Sequence, residues 1–413
     1  MPTTTNPYGF VEQMSVSKFD TAHTDQLYLL EIGERSFQVS RNVHDLIQAL
    51  QRYPDDLKKA AVHYSEGRSK QYAAEEIKAL ADKFLLPFAN IESTSPEKKI
   101  PLTIHQDLLQ EKALLPFTNL LRHLFFRPLI VSVFVASFLV QLFFLIQFDV
   151  NQHFIQNWGH PLLLVYNGIA IALLFFVHEL GHLSACRYFG TRHGAMGIGL
   201  YLYFPVFYAD VSRIWRLSGA QRMLVNLGGI YFQLFLLLPL TLLNIYVFDF
   251  TLTIAIFFNY LSILYNLNPI FKFDGYWFVS DWLGVPNLRD RSKEVLAYFY
   301  AKYIKKSEDI QQPYLLRISP RKQGWVVGYT IISVLFFSYI FFWRLPVIIW
   351  SFLQNLPAQI KQMSEILHNW YQLGQPLEWT VFWQFLLSLL IFVLCSYLVL
   401  RLAFRIYRRQ SAA

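Results

Sequence analysis

The chain has 413 residues, 54% of them hydrophobic and only 15% charged, with 38 Phe, 24 Tyr and 10 Trp. A soluble globular protein carries about a quarter charged residues, so this balance argues against a cytosolic enzyme, and so much apolar bulk excludes a disordered chain. The formal charge is +8; Cys186 and Cys395 both lie in apolar runs, so no disulfide framework is expected. The first hundred residues are mixed and polar, unlike a cleavable signal peptide.

Residues 1–95 read as a small cytoplasmic α+β domain, winged-helix-like or peptide-recognising. Leu27–Val39 forms two strand-like runs about Gly33, a hairpin signal. Ser40 or Asn42 can cap a helix whose apolar residues Val43, Leu46, Ile47 and Leu50 recur at i, i+3, i+4, i+7. Pro54 ends it, and a later stretch puts Ala73, Ile77, Leu80, Ala81 and Phe84 on one face. Glu92–Lys99 reads as linker. The segment 96–128, ending in Arg122–Arg127, reads as a basic amphipathic approach to a membrane.

Beyond Pro128 the chain reads as an α-helical polytopic membrane domain, 129–413. Crossing the hydrocarbon takes about 20 apolar helical residues. Runs of that kind occur near 129–148, 161–188, 223–248, 252–270, 325–349 and 381–401, which predicts about six transmembrane helices. The segment 149–160 and the turn Asp249–Thr251 contain no Lys or Arg, whereas 187–222 holds Arg187, Arg192, Arg213, Arg216 and Arg222. Segment 271–323 and the tail are also basic, so the positive-inside rule puts both termini in the cytoplasm. It leaves 350–380 as an outer segment, read as an interfacial helix or a partner contact. Lys302, Lys305, Lys306, Arg321 and Lys322 suit anionic lipid rather than nucleic acid.

The second apolar run contains Phe175-Phe-Val-His178-Glu179-Leu-Gly-His182. Two histidines at i, i+4 share a helix face and can hold one Zn²⁺, with Glu179 beside it as base. Even with every acidic residue counted as Glu, about 0.02 chance matches per chain are expected for this pattern. Ionisable groups inside an apolar span are expensive and usually face a cavity. A catalytic site needs a third protein ligand and an open fourth position. The best candidate is Asp274, in Asn266-Leu-Asn-Pro269-Ile-Phe-Lys-Phe-Asp274-Gly275. The second and fourth spans both run inward, so His178, His182 and Asp274 fall at the same depth on the cytoplasmic side. Cys186, four residues past His182, is read as a small buried hydrophobe rather than a fourth ligand. His193 and Asp210 are read as surface polar residues, and His153 and His160 as outer-loop residues with no metal role. Gly181 reads equally as helix packing or as room for a substrate backbone. Gly197–Asp210 alternates small and aromatic residues, as in a hairpin beside the site or an interfacial aromatic belt.

On HExxH and the complete Asn266…Pro269…Asp274-Gly275, the chain resembles the site-2 protease family of intramembrane zinc metallopeptidases, over residues 160–285. The resemblance implies His178, His182 and Asp274 as ligands, Glu179 as the catalytic base, and peptide-bond hydrolysis at the cytoplasmic side of the bacterial inner membrane. It also implies that the 197–210 element pairs with an extended substrate. The family's G-P-x-x-N element is only partly matched, at Gly229-Ile-Tyr-Phe-Gln233. Asn226, Gln233 and Asn266 are the candidate substrate-binding residues. The hairpin-then-helices pattern of 1–95 resembles the peptide chaperone of pyrroloquinoline quinone synthesis, which implies docking of a leader peptide and maturation of a precursor peptide. The competing expectations are regulated proteolysis of a single-span signalling protein and a non-proteolytic accessory role.

Overall fold

The computed structural model describes residues 8–33, 35–89, 104–147, 161–201, 204–247, 249–306, 313–374 and 379–410. Contacts divide the chain into two units, 1–149 with 167–326, and 150–166 with 327–413. The expected linker 92–99 and the loop residues His153 and His160 fall outside the described residues.

The first unit begins with a three-stranded antiparallel sheet, β1 (Ser15–Phe19), β2 (Leu27–Ile32) and β3 (Arg35–Ser40), in that order. Gly33, at φ +58°, supplies the left-handed residue that the β2–β3 turn needs. The register pairs Leu30 with Phe37. Helices α1 (Arg41–Arg52), α2 (Leu57–Ser65) and α3 (Ala74–Phe84) follow. Ser40 stands at the α1 N-cap in extended backbone but makes no side-chain cap, whereas Asp56 caps α2 by accepting from the backbone N–H of Lys58 and Lys59 at 3.1 Å. The apolar stripe read from α1 is the stripe that is buried: Leu46, Ile47 and Leu50 close against Leu30, Ile32, Ile77 and Ala81.

The segment expected to be only an amphipathic approach carries a strand, β4 (His105–Leu109), ahead of α4 (Glu111–Leu121). Strand β4 is too short and polar to announce itself. It forms because it finds an edge in the hairpin β5 (Met196–Tyr201) and β6 (Phe204–Ala209), giving a second sheet in the order β4-β5-β6. Tyr208 on β6 donates a short hydrogen bond to the Asp107 carboxylate on β4.

Helices α5 (Arg127–Gln147), α6 (Pro161–Tyr188), α7 (Gly219–Asn226), α8 (Gly228–Val247) and α9 (Phe250–Asn266) build the apolar core. The run 223–248 divides, because the short α7 ends at Asn226 and α8 begins at Gly228. Gly181 on α6 faces the backbone carbonyl of Gly228, where a Cβ would collide, so these two glycines let the helices cross at backbone contact. Helix packing is therefore the role the structure gives Gly181. Helices α10 (Asp274–Leu283) and α11 (Leu288–Phe299) follow.

Five helical stretches among the described residues are long and apolar enough to cross a membrane: 127–147, 165–188, 228–247, 320–373 and 381–401. The run expected near 252–270 is the shorter apolar helix Thr251–Asn266. The span expected at 325–349 does not end there. Helix α12 (Pro320–Tyr339) passes through a π-turn at Ile340–Arg344 into α13 (Leu345–Leu373), and the chain breaks only at Gly374, with φ +64°. Residues 350–373 therefore continue a helix, where the sequence suggested a separate segment, because no residue there interrupts the ladder strongly enough; Pro357 is accommodated. Within the second unit α13 packs on α14 (Trp379–Gln410), with Phe352 stacked on Phe392 at 4.4 Å.

Candidate metal centre

Helix α6 presents His178 and His182 one turn apart, both buried, and Asp274 opens α10. An acidic first residue suits the positive end of a helix. Gly275 fits the same corner for a steric reason. A Cβ there would strike the Leu267 carbonyl, so only glycine lets α10 begin against the last turn of α9. Within the connecting loop the Asn268 side chain accepts from the Ile270 N–H at 2.8 Å, closing a local turn.

Three donor atoms meet. His178 Nε2 lies 3.0 Å and His182 Nε2 lies 3.4 Å from Asp274 Oδ2, and the two Nε2 atoms are 3.1 Å apart. The opposite ring nitrogens fix the tautomers. His178 Nδ1 donates to Gln233 Oε1 at 3.0 Å, and His182 Nδ1 donates to the Val225 carbonyl at 2.8 Å. With both protons held there, both Nε2 atoms are bare lone pairs. Asp274 Oδ2 is buried and has no hydrogen-bond partner. In that tautomer three acceptors converge, an arrangement that a cation at their centre relieves. Ligand bonds of about 2.0–2.1 Å in a tetrahedron put neighbouring donors about 3.3 Å apart. The observed separations are those of a zinc-sized tetrahedral site, and a three-ligand set leaves its fourth position open.

The shell around the trio is built to hold the rings. Gln233 sits between His178 and α9, since its amide nitrogen donates to Ser262 Oγ at 3.0 Å. A Cβ on Gly229 would lie 2.5 Å from His178 Cε1 and from His182 Nε2, so α8 can pass the imidazoles only as glycine. Glu179 follows His178 directly and accepts from the backbone N–H of Ala209, the last residue of β6. The edge of the second sheet therefore runs beside the carboxylate. Among the described residues strand β6 is paired on one side only, and strand alternation puts the outward backbone groups of Phe207 on the same edge as those of Ala209.

Two of the residues expected to contact substrate have protein partners: Gln233 bonds His178 and Ser262, and Asn226 donates to Asp281 Oδ2 at 2.8 Å. Asn266 is half-buried at the end of α9. Cys186 is fully buried among Phe125, Tyr231 and Phe232, apart from the trio. His193 is buried rather than on the surface: its ring bonds Thr118 Oγ1 at 3.1 Å and the Gly194 carbonyl at 2.9 Å, and burial pushes its pKa down. Asp210 holds a turn, its carboxylate accepting from Ser212 Oγ at 2.6 Å.

Sequence reasoning missed the Val225 carbonyl and Ser262, and no motif could have revealed a backbone oxygen. Gly229 was visible only as a remnant of a family element.

The chain is similar to a protein of Bacillus subtilis (strain 168) named "Putative peptide zinc metalloprotease protein YydH", being 31% identical over 140 residues. That stretch is 30% of this chain and 55% of the other, so the chain spans about half the length of the curated relative it matches. No family model matches, and no solved structure does.

Proposed function

We propose that the protein is a membrane-embedded zinc metallopeptidase of the site-2 protease type, acting on a peptide at the cytoplasmic side of a bacterial inner membrane. The observation that carries this is the convergence of two Nε2 lone pairs and an otherwise unpartnered carboxylate oxygen on one point beside Glu179. The name of the B. subtilis relative supports zinc and a peptide substrate.

His178, His182 and Asp274 would hold the zinc. When bound, zinc supplies Lewis-acid polarisation of a carbonyl and acidification of water. Glu179 takes the proton from the attacking water and delivers it to the leaving amine. Ala209 N–H holds the Glu179 carboxylate toward the sheet edge, and a substrate strand added along β6 brings its backbone to that carboxylate. Extended pairing matters because a helical peptide hides its carbonyls in its own hydrogen bonds. Gln233 and the Val225 carbonyl keep the imidazoles from turning.

Maturation of a precursor peptide is the favoured role. What supports it is the N-terminal sheet, where, among the described residues, β3 pairs only with β2 and so offers an edge to a leader segment. The test is cleavage of a short precursor peptide by the membrane-reconstituted protein and by Glu179→Gln. Cleavage by the first and not the second is expected, with equal zinc content in both; cleavage surviving in Glu179→Gln would overturn the assignment. Loss of peptide binding after deletion of residues 1–95 would place the leader site on that domain, while unchanged processing of a single-span protein would favour regulated intramembrane proteolysis.

A further inference from the structure

Arg222 is an arginine only 2% exposed, and its side chain ties α7 to α10 and to the end of β1. From α7, its Nε donates to Asp281 Oδ1 on α10 at 2.6 Å. Its Nη1 donates to the Leu217 carbonyl at 2.7 Å, and its Nη2 to the backbone carbonyl of Asp20 at 3.0 Å. Asp20 follows β1, so the third contact reaches the N-terminal domain. Its guanidinium also lies over the rings of Phe19, at 5.4 Å, and Trp215, at 5.7 Å. The junction has two further backbone ties. Gly219 N–H, in the first turn of α7, donates to Asp20 Oδ2 at 2.7 Å, and Ala22 N–H donates to the Gly284 carbonyl at 2.8 Å. Gly284 adopts φ +67°, and a Cβ there would meet Ala22 N at 2.7 Å.

The two helices that Arg222 joins both carry a determinant of the metal centre. On α7, Val225 lies three residues beyond Arg222, and its carbonyl orients His182. On α10, Asp274 lies seven residues before Asp281, two turns away on the same helix face. Asn226, one turn past Arg222, binds the other oxygen of Asp281 and doubles the tie. We propose that Arg222 is a positioning residue through which the seating of the N-terminal domain at Asp20 sets the spacing between His182 and Asp274. The proposal rests on the metal-centre reading above. It makes zinc geometry depend on a contact made by the soluble domain, so anything that lifts the end of β1 from α7 loosens the metal site.

Two variants of the full-length protein test it. Arg222→Met with Asp281→Asn removes the buried charges together, while the amide oxygen introduced by the second change can still accept from Asn226. Gly219→Pro keeps the Arg222 and Asp281 side chains and acts on the Asp20 contact, removing the N–H donor and setting a Cβ about 3.3 Å from Asp20 Oδ2, at a helix position that tolerates proline. The readouts are zinc affinity by chelator competition and the visible absorption bands of the Co²⁺-loaded protein, which report ligand geometry without any need for turnover. The double variant is expected to bind zinc about tenfold more weakly, in the range for groups that support ligands, with shifted Co²⁺ bands. Gly219→Pro should move both readouts the same way by less. Wild-type affinity and spectrum in both folded variants would overturn the proposal, as would a drop in thermal stability with an unchanged spectrum. Should the double variant fail to fold, Gly219→Pro decides alone, with wild-type metal binding overturning the proposal and weakened binding supporting it. A wild-type protein that takes up neither ion would instead overturn the metal centre itself.

Discussion

The N-terminal sheet with α1–α3 and the helical core bury different things. Around α1 the buried side chains are almost all apolar, among them Leu30, Leu46, Ile47, Leu50, Ile77 and Ala81. Around α6 and α8 the interior holds His178, His182, Gln233, Arg222 and Asn226, each tied to a named partner. Apolar packing is non-directional, so the first region gains a stable platform whose strand edges stay open. Buried polar atoms are stabilising only when their partners are placed, so the second region fixes orientations. One region is built for holding a surface, the other for aiming side chains.

The sharpest way to break that contrast is Glu179→Gln. It should lower peptide cleavage by about 10²–10⁴-fold while zinc content stays at the wild-type level, measured on matched preparations. Next, Leu46→Ala should destabilise the N-terminal domain by about 2–5 kcal/mol, read as a lower thermal midpoint, while the helix content of the spans persists. Gln233→Leu should be milder in stability yet weaken zinc binding by about 10–100-fold, because His178 loses the acceptor that holds its ring. An unchanged zinc affinity there would show that polarity in this core does not serve orientation. The smallest expected effect lies at His193. Its folded pKa is depressed by burial, so the folded state binds a proton less readily than the unfolded chain. Stability should therefore fall as pH drops below the unfolded histidine value of about 6.5, and His193→Gln should flatten that acid limb in a denaturation series.

Much of the candidate site was legible because its chemistry sits in short patterns. The i, i+4 pair on α6 needs no tertiary information to share a face, and Asp274-Gly275 stands within a motif of fixed internal spacing. Five of the six expected apolar runs were legible for a similar reason, since length and apolarity are summed along the chain; the continuity of α12 into α13 was missed because nothing in that sequence marks where the helix ends. Strand β4 escaped because its partner is some ninety residues away, and His193 because a lone histidine carries no sign of whether it is buried.

By itself, then, the amino-acid order determined the long apolar runs, the apolar stripe of α1 and the identity of the residues proposed to bind the metal, which follow from summed apolarity, helical periodicity and short motifs of fixed spacing. Tertiary structure alone decided that Gly229 must yield to two imidazoles, that Val225 orients His182 through its carbonyl, that Gln233 and Asn226 face inward, and that Arg222 bolts α7 to α10 and to Asp20. Those are contacts between distant segments, made largely through backbone atoms that every residue possesses, and no pattern of side chains along one strand of sequence encodes which of them will meet.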